Sequence, residues 1–414
     1  MKFRLSMTNR GQNFCRSCSS PLGDVVLSLG VQPLSNALPP QSFQGDDAKF
    51  PLDFRVCPIC SLGQIGEYVS PSEIFSEYTY FSSTSSTWLK HAKTFAQAAF
   101  KKLQLNQNDL VVEIASNDGY LLQYFQELNC SVLGIEPASN VADFANNRGI
   151  TTRAEFFGTE CAKNLIAKGE IPKLVIGNNV LAHVPDINDF MNGLTLLAQQ
   201  GAVISIEAPS MLTMLRDNLF DTIYHEHFSY LSATALSFLA KQHNLNLFDV
   251  ETLDTHGGSY RYWLSSSSTF AKPAVEEFKS QEFEFGIGEE LVHKEFASRS
   301  TSAIENFSDW VKDQKIPLVG YGAAAKATVL LNAAEVESRN FLSVIDNSLS
   351  KQGRYIPGCR IPITSPKEVL SDTQGNVVIF PWNISMEIAF SIRNDFPKFI
   401  GELWVALPEL RRLQ

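Results

Sequence analysis

The chain has 414 residues, 44% of them hydrophobic and 19% charged, with a formal net charge of -10. That length exceeds what one core comfortably fills, so two or three domains are expected. No apolar run nears the ~20 residues of a membrane helix, no secretory h-region opens the chain, and no basic stretch neutralises nucleic-acid phosphates; a cytoplasmic protein with neither membrane nor nucleic-acid partner is expected.

Four of the seven cysteines come first, as two C-x-x-C pairs: Cys15 with Cys18, and Cys57 with Cys60. Cys130, Cys161 and Cys359 stand singly, which is not the even framework of a secreted disulfide protein. Two thiolate knuckles complete a tetrahedral, closed site for Zn2+, and such a site is structural rather than catalytic. Residues 11–70 are otherwise rich in Pro, Gly and Ser and hold little core, so the metal is expected to supply folding energy.

"SPSEIFSEYTYFSSTSSTW" reads as a connection. From "LKHAKTFAQAAFKKLQL" apolar residues recur every three and four positions, the period of a helix. A strand–helix alternation follows: "DLVVEIA", "CSVLGIEP", "GITTRAEFF", "KLVIGNNVLAHV" and "GAVISIEAPS" supply strands. Apolar strands alternating with helices imply a parallel sheet in a doubly wound α/β fold.

The first turn of this unit, "VVEIASNDGYLL", lacks the G-x-G-x-x-G of dinucleotide enzymes. It matches the looser acidic–small–small pattern of Rossmann-like folds that bind S-adenosylmethionine. Candidate contacts are Glu113, Ala115, Ser116, Asn117, Asp118 and Gly119. The next strand ends at Glu136 and Pro137, with Glu136 placed 18 residues after Asp118. A carboxylate there can accept both ribose hydroxyls. The fourth strand ends with Asn178, Asn179 and His183, beside the switch point where ligands sit.

"DTIYHEHFSY" packs Tyr224, His225, Glu226 and His227 into four positions. In a regular strand Tyr224 and Glu226 would face one side and the histidines the other; in a loop that rule lapses. A metal would lack a clear further ligand. Proton transfer fits better, with an imidazole base, an orienting carboxylate and a phenol donor.

In "HGGSYRYWL", two glycines suggest a bulge or a close approach to a ligand. Residues 271–314 read as a long charged helical segment. "LVGYGAAAKATVLL" restarts strand, glycine turn and helix, where Gly320, Gly322 and Lys326 could cradle a phosphate. The expected units are 1–84, 85–270 and 271–414.

The order C-x-x-C…C-x-x-C, "QPLSNALPP", "VEIASNDG", "YHEH", "HGGS-x-R" and "GYGAAAK" resembles the S-adenosylmethionine-dependent sugar C-methyltransferases, over nearly the whole chain. The resemblance implies an N-terminal zinc-binding module, a central class I methyltransferase domain and a C-terminal Rossmann-like domain holding the nucleotide sugar. It implies methyl transfer to C3′ of a nucleotide-linked 4-keto deoxysugar of the dTDP type, through an enolate. The family's Y-x-E-H pattern falls on Tyr224, Glu226 and His227, leaving His225 unmatched. Its further active-site histidine matches His183. Its N-terminal tyrosine matches Tyr78, with Tyr80 the neighbouring candidate beside the substrate. Ala115 departs from the glycine common in the cofactor turn. Competing readings are O-methyl transfer to another acceptor and a zinc-dependent binding module on a non-catalytic Rossmann scaffold.

Overall fold

The computed structural model describes residues 12–70, 82–84, 86–267, 271–371 and 375–413. Tyr78 and Tyr80 lie outside them. Three sheets organise the described residues.

The first sheet begins with β1 (Leu27–Pro33), β2 (Lys49–Val56) and β3 (Gly63–Gln64). In β2 alternate residues are buried, the period of a sheet with one face on a core. The fourth strand of this sheet comes from far along the chain, as described below.

The central sheet contains β4 (Leu110–Ile114), β5 (Ser131–Ile135), β6 (Thr152–Arg153), β7 (Pro172–Asn178) and β8 (Val203–Pro209). After β8 the chain forms the short strand β9 (Ser229–Tyr230), which leaves this sheet and pairs antiparallel with β3, Gly63 opposite Tyr230 and Gln64 opposite Ser229. It then returns as β10 (Asn246–Leu253) and β11 (Ser259–Ser265). The strand order is β10-β11-β8-β7-β4-β5-β6. The five strands from β4 to β8 are parallel. β4 and β7 are buried along nearly their whole length, as inner strands of a parallel sheet are. The expected parallel sheet is thus extended by an antiparallel hairpin, β10–β11, added beside β8.

The segment 271–314 is two helices, Pro273–Phe285 and Glu290–Lys312, not one. Gly286 ends the first in the left-handed region, a helix stop that a glycine adopts freely. The second buries Phe296, Ser300, Phe307 and Val311, a stripe at helical spacing.

The third sheet is built from β12 (Leu318–Tyr321), β13 (Phe341–Ile345), β14 (Ile363–Thr364), β15 (Val377–Ile379), β16 (Leu403–Val405) and β17 (Arg411–Arg412). Its order is β14-β13-β12-β15-β16-β17, parallel except for β17. One apolar core joins the first sheet, the segment 211–230 and this last unit: Phe54, Phe220, Phe296 and Leu330 all belong to it. Phe54 meets Tyr230 and Phe296 edge-on, with ring centroids 5.1 and 6.3 Å away.

Candidate active site and metal centre

The two cysteine knuckles have the same construction. Cys15 N–H donates to Ser20 O and Ser19 N–H to Cys15 O; Cys57 N–H donates to Leu62 O and Ser61 N–H to Cys57 O. Ser19 and Ser61 both adopt positive φ, 59° and 56°. These matched turns bring all four Sγ atoms within 4.8 Å of one another. Two pairs, Cys15–Cys60 and Cys18–Cys57, are 3.5 Å apart. A tetrahedron with Zn–S bonds of about 2.3 Å has edges of about 3.8 Å, so the four thiolates fit zinc. Gln64 Nε2 donates to Cys15 Sγ at 3.3 Å and its Oε1 accepts Arg16 N–H at 2.9 Å. Gln64 is also the β3 residue opposite Ser229.

At the carboxyl end of β4 the chain turns sharply. Ala115, Asn117 and Gly119 have φ of 54°, 50° and 78°. Asparagine and glycine tolerate this region; alanine carries the strain of its Cβ. Glu136 braces the turn from the end of β5: Oε2 accepts Asn117 N–H at 3.0 Å and Oε1 accepts Ala138 N–H at 2.9 Å. Ser82 N–H and Ser83 N–H reach the side chains of Asn117 and Asp118 at 2.9 and 3.2 Å. Ser82 and Ser83 therefore sit against this turn.

Five polar atoms here are buried without a hydrogen-bond partner among the described residues: Glu113 Oε2, Ser116 Oγ, Asp118 Oδ1, Asn178 Oδ1 and Asn179 Oδ1. Buried acceptors without donors are costly unless a ligand supplies them. Burial, then the charges of Asp118 and Glu136, push the Glu113 carboxyl well above its ordinary range. A ligand with an ammonium, a sulfonium and ribose hydroxyls answers both features. The residues present fit S-adenosylmethionine, and Glu113, Ser116, Asp118, Asn178 and Asn179 are the groups that would hold it. Pro137 lies half-buried directly after the bracing carboxylate.

The stretch 221–230 is a loop, except for one 3-10 turn at Phe220–Thr222 and the strand β9. Strand parity therefore does not apply. Tyr224 and His227 remain half-buried while His225 and Glu226 are buried. Tyr224 Oη lies 2.6 Å from His227 Nε2. His227 Nδ1 lies 3.0 Å from Thr222 O, and a carbonyl accepts only, so Nδ1 carries the hydrogen. Nε2 is then the lone-pair nitrogen and accepts from the Tyr224 hydroxyl. His183 follows β7 in a 3-10 turn and stands edge-on to His227, centroids 4.7 Å apart. Its Nδ1 donates to Glu226 O at 2.7 Å, which leaves its Nε2 an acceptor as well. Burial lowers His183 to about 4, so it stays neutral near pH 7.

His225 turns away. Its Nε2 donates to Pro51 O at 3.3 Å and its ring meets Phe50 edge-on, so it fastens the loop to β2. Burial lowers it to about 4.

The glycine turn after β12 is packed rather than open. Gly322 N–H donates to Ile345 O at 2.8 Å. Ala323 N–H donates to Asp346 Oδ2 at 2.9 Å. A Cβ on Gly320 would sit 2.6 Å from Phe380, and one on Gly322 2.6 Å from Pro381. These glycines make room for "FPWN", residues 380–383, and the Gly322 and Ala323 amides are committed within the protein. Lys326 is the turn's ligand-capable group: Nζ sits 3.6 Å above the Trp382 ring and 3.3 Å from Asn383 Oδ1. Burial lowers Lys326 to about 8, against the pull of Asp221.

Sequence reasoning passed over four residues that the structure brings to this region. Asp221 is buried and accepts Trp382 Nε1–H at 2.8 Å. Burial raises it to about 6, with Lys326 opposing. Trp382 also fills the space above Gly257, where a Cβ would lie 2.4 Å from its ring. Glu207, at the end of β8, is buried between His91 at 3.0 Å and Arg261 at 2.8 Å. Burial opposes its charge, yet His91 and Arg261 together hold it below the usual carboxylate range. Asn36 reaches Glu226. A lone acid at the end of an apolar strand marked Glu207; Trp382 had no local signal.

Three family models match the chain. A zinc binding domain family matches residues 15–75, a methyltransferase domain family residues 88–250 and a C-methyltransferase C-terminal domain family residues 254–408. Over 403 residues the chain is 33% identical to the C-methyltransferase NovU of Streptomyces niveus, covering 96% of each chain. Among solved structures, magnesium protoporphyrin IX methyltransferase from Synechocystis aligns over 43% of this chain and 83% of its own, at 12% identity and a TM-score of 0.33. An S-adenosylmethionine-dependent methyltransferase from Clostridium acetobutylicum aligns over 43% and 91%, at 12% identity and a TM-score of 0.33. With the relative spanning both chains almost end to end, the protein belongs to the S-adenosylmethionine-dependent C-methyltransferases that carry an N-terminal zinc-binding domain.

Proposed function

We propose that this C-methyltransferase methylates C3′ of a nucleotide-linked 4-keto deoxysugar, with His227 as the base. The carrying observation is the tautomer of His227. Its Nδ1–H is spent on Thr222 O, so its basic Nε2 points at the Tyr224 hydroxyl.

A C4′ ketone acidifies the C3′ proton. When the ketone oxygen takes the Tyr224 hydroxyl as its donor, the Nε2 lone pair is released toward that proton. The C3′–H electrons move into the enolate, and the proton stays on Nε2. Tyr224 is the better oxyanion donor, because neutral His183 presents an acceptor nitrogen. His183 suits a sugar hydroxyl. S-adenosylmethionine supplies the electrophilic methyl group. The protein's contribution is proton transfer and alignment. Lys326, above Trp382, suits an anionic part of the nucleotide.

The test uses purified enzyme, methyl-labelled S-adenosylmethionine and a panel of nucleotide 4-keto sugars. Label on carbon, with C3′–H exchange into deuterated water, is the expected result. Label on oxygen without exchange overturns the reading.

A further inference from the structure

Glu226 is 3% exposed, and its two oxygens are treated differently. Oε1 receives both N–H groups of one residue, Asn36: the backbone N–H at 3.2 Å and Nδ2 at 3.3 Å. Oε2 is buried and has no hydrogen-bond partner among the described residues. Asn36 comes from "QPLSNALPP", just beyond β1. That segment is fixed to the C-terminal unit: Gln32 Nε2 donates to Val329 O at 3.4 Å, and Thr328 Oγ1 donates to Ser35 O at 3.0 Å.

An oxygen that accepts two N–H donors has no place for a hydrogen of its own. When this carboxyl is protonated the proton must sit on Oε2; when it is ionised Oε2 is the oxygen with unused lone pairs. Either way the uncommitted side of Glu226 is chosen by Asn36. Burial raises the carboxyl above its ordinary range; its own backbone N–H, then the two Asn36 donors, pull it back.

We propose that Asn36 is a positioning residue for the reaction: by holding Oε1 it dedicates Oε2 of Glu226 to an oxygen of the bound sugar. The role rests on the sugar reading above for its ligand, and on geometry alone for the Asn36–Glu226 contact. As an acid, Oε2–H would donate to a keto or hydroxyl oxygen; as a carboxylate, it would accept a hydroxyl.

Asn36 is itself exposed, so its replacement leaves the core intact. Asn36→Ala removes one donor, and the isosteric Asn36→Asp sets an acceptor against Oε1. Glu226 is followed by carbon-13 NMR of labelled glutamate carboxyls, with Glu226→Gln identifying its signal. The other titratable groups around it are His183, bonded to its backbone oxygen, Tyr230, and its neighbours His225 and His227. The expected result is a Glu226 midpoint raised by roughly half a pH unit in Asn36→Ala, and further in Asn36→Asp, since lost donors disfavour the anion. kcat falls in both variants while S-adenosylmethionine affinity, read by calorimetry, stays unchanged. A Glu226 midpoint unmoved in both variants overturns the positioning role whatever the activity. A moved midpoint in a protein whose wild type methylates no keto sugar keeps the positioning role and discards the sugar.

Discussion

Tyr224 and His227 form a phenol–imidazole pair, 2.6 Å between Oη and Nε2, with their rings 3.9 Å apart. The pair is closed on its far side by the Thr222 carbonyl. His227→Asn keeps an N–H toward Thr222 but has no basic nitrogen. We expect kcat to fall by about 10²–10⁴-fold, the usual worth of a positioned base, with S-adenosylmethionine affinity unchanged. Tyr224→Phe should lower kcat as well, through loss of the enolate donor. Methyl-transfer assays and calorimetry measure both; near-normal turnover in His227→Asn removes the base assignment.

The strained alanine in the turn after β4 offers a stability test. At φ 54° the Cβ of Ala115 opposes the backbone it sits on. Left-handed alanine costs about 1–2 kcal/mol, and glycine returns about 0.4–1 kcal/mol of that as unfolded-state freedom. Ala115→Gly should therefore stabilise the chain by about 0.5–1 kcal/mol in urea unfolding. A loss of stability would mean that the methyl group packs more than the turn strains.

Zinc removal should reach the active site. The path is short: Cys15 bonds to Gln64, and Gln64 pairs with Ser229, two residues after His227. Cys57→Ser, or chelation of the wild type, should lower zinc to below one per chain by mass spectrometry. Hydrogen exchange should then speed up at 62–65 and at 228–231 together, and kcat should drop. Exchange confined to residues 15–62 would show that the loop holds its shape without the metal.

Asp221 predicts a pH signature. Unfolded, its carboxyl titrates at 3.8; in the folded chain burial raises it to about 6. The native state binds the proton more tightly, so Asp221 favours unfolding increasingly as pH rises from about 4 to about 6. Above that window the penalty is about 2–3 kcal/mol. Asp221→Asn keeps an oxygen for Trp382 Nε1–H and never ionises. It should be more stable than wild type at pH 8, and the gap should close near pH 4 in thermal unfolding. A gap independent of pH would rule out the buried charge as its cause.

Local chemistry was legible in the sequence. The cysteine knuckles, the β4 turn and the strand–helix rhythm are each written within ten or twenty residues, where spacing and apolar period are direct signals. The Tyr-His-Glu-His cluster was legible as a group, though its internal division was not. That division depends on which side chain meets β2, and His225 finds Phe50 and Pro51 there. The glycines of "HGGS" and "GYG" pointed to a close approach by a ligand, whereas the structure places protein there: Trp382 at Gly257, more than a hundred residues away in sequence, and Pro381 at Gly322. Asp221, Asn36 and Trp382 took meaning only from packing across distant segments. Tyr78 and Tyr80 lie outside the described residues.

β9 places a boundary inside the proposed active site. A two-residue strand, counted in the central part of the chain, completes the edge of the zinc-bearing sheet immediately after His227. Shortening the chain to begin at the helix Ser86–Lys102 would leave that strand unpaired and the loop before it without Asn36 or Pro51. The central unit is thus not expected to work when expressed alone, and the zinc-bearing sheet expressed alone would display the open edge of β3. Exchanging N-terminal modules between relatives would succeed only where the strand after the Tyr-x-Glu-His loop is exchanged with them.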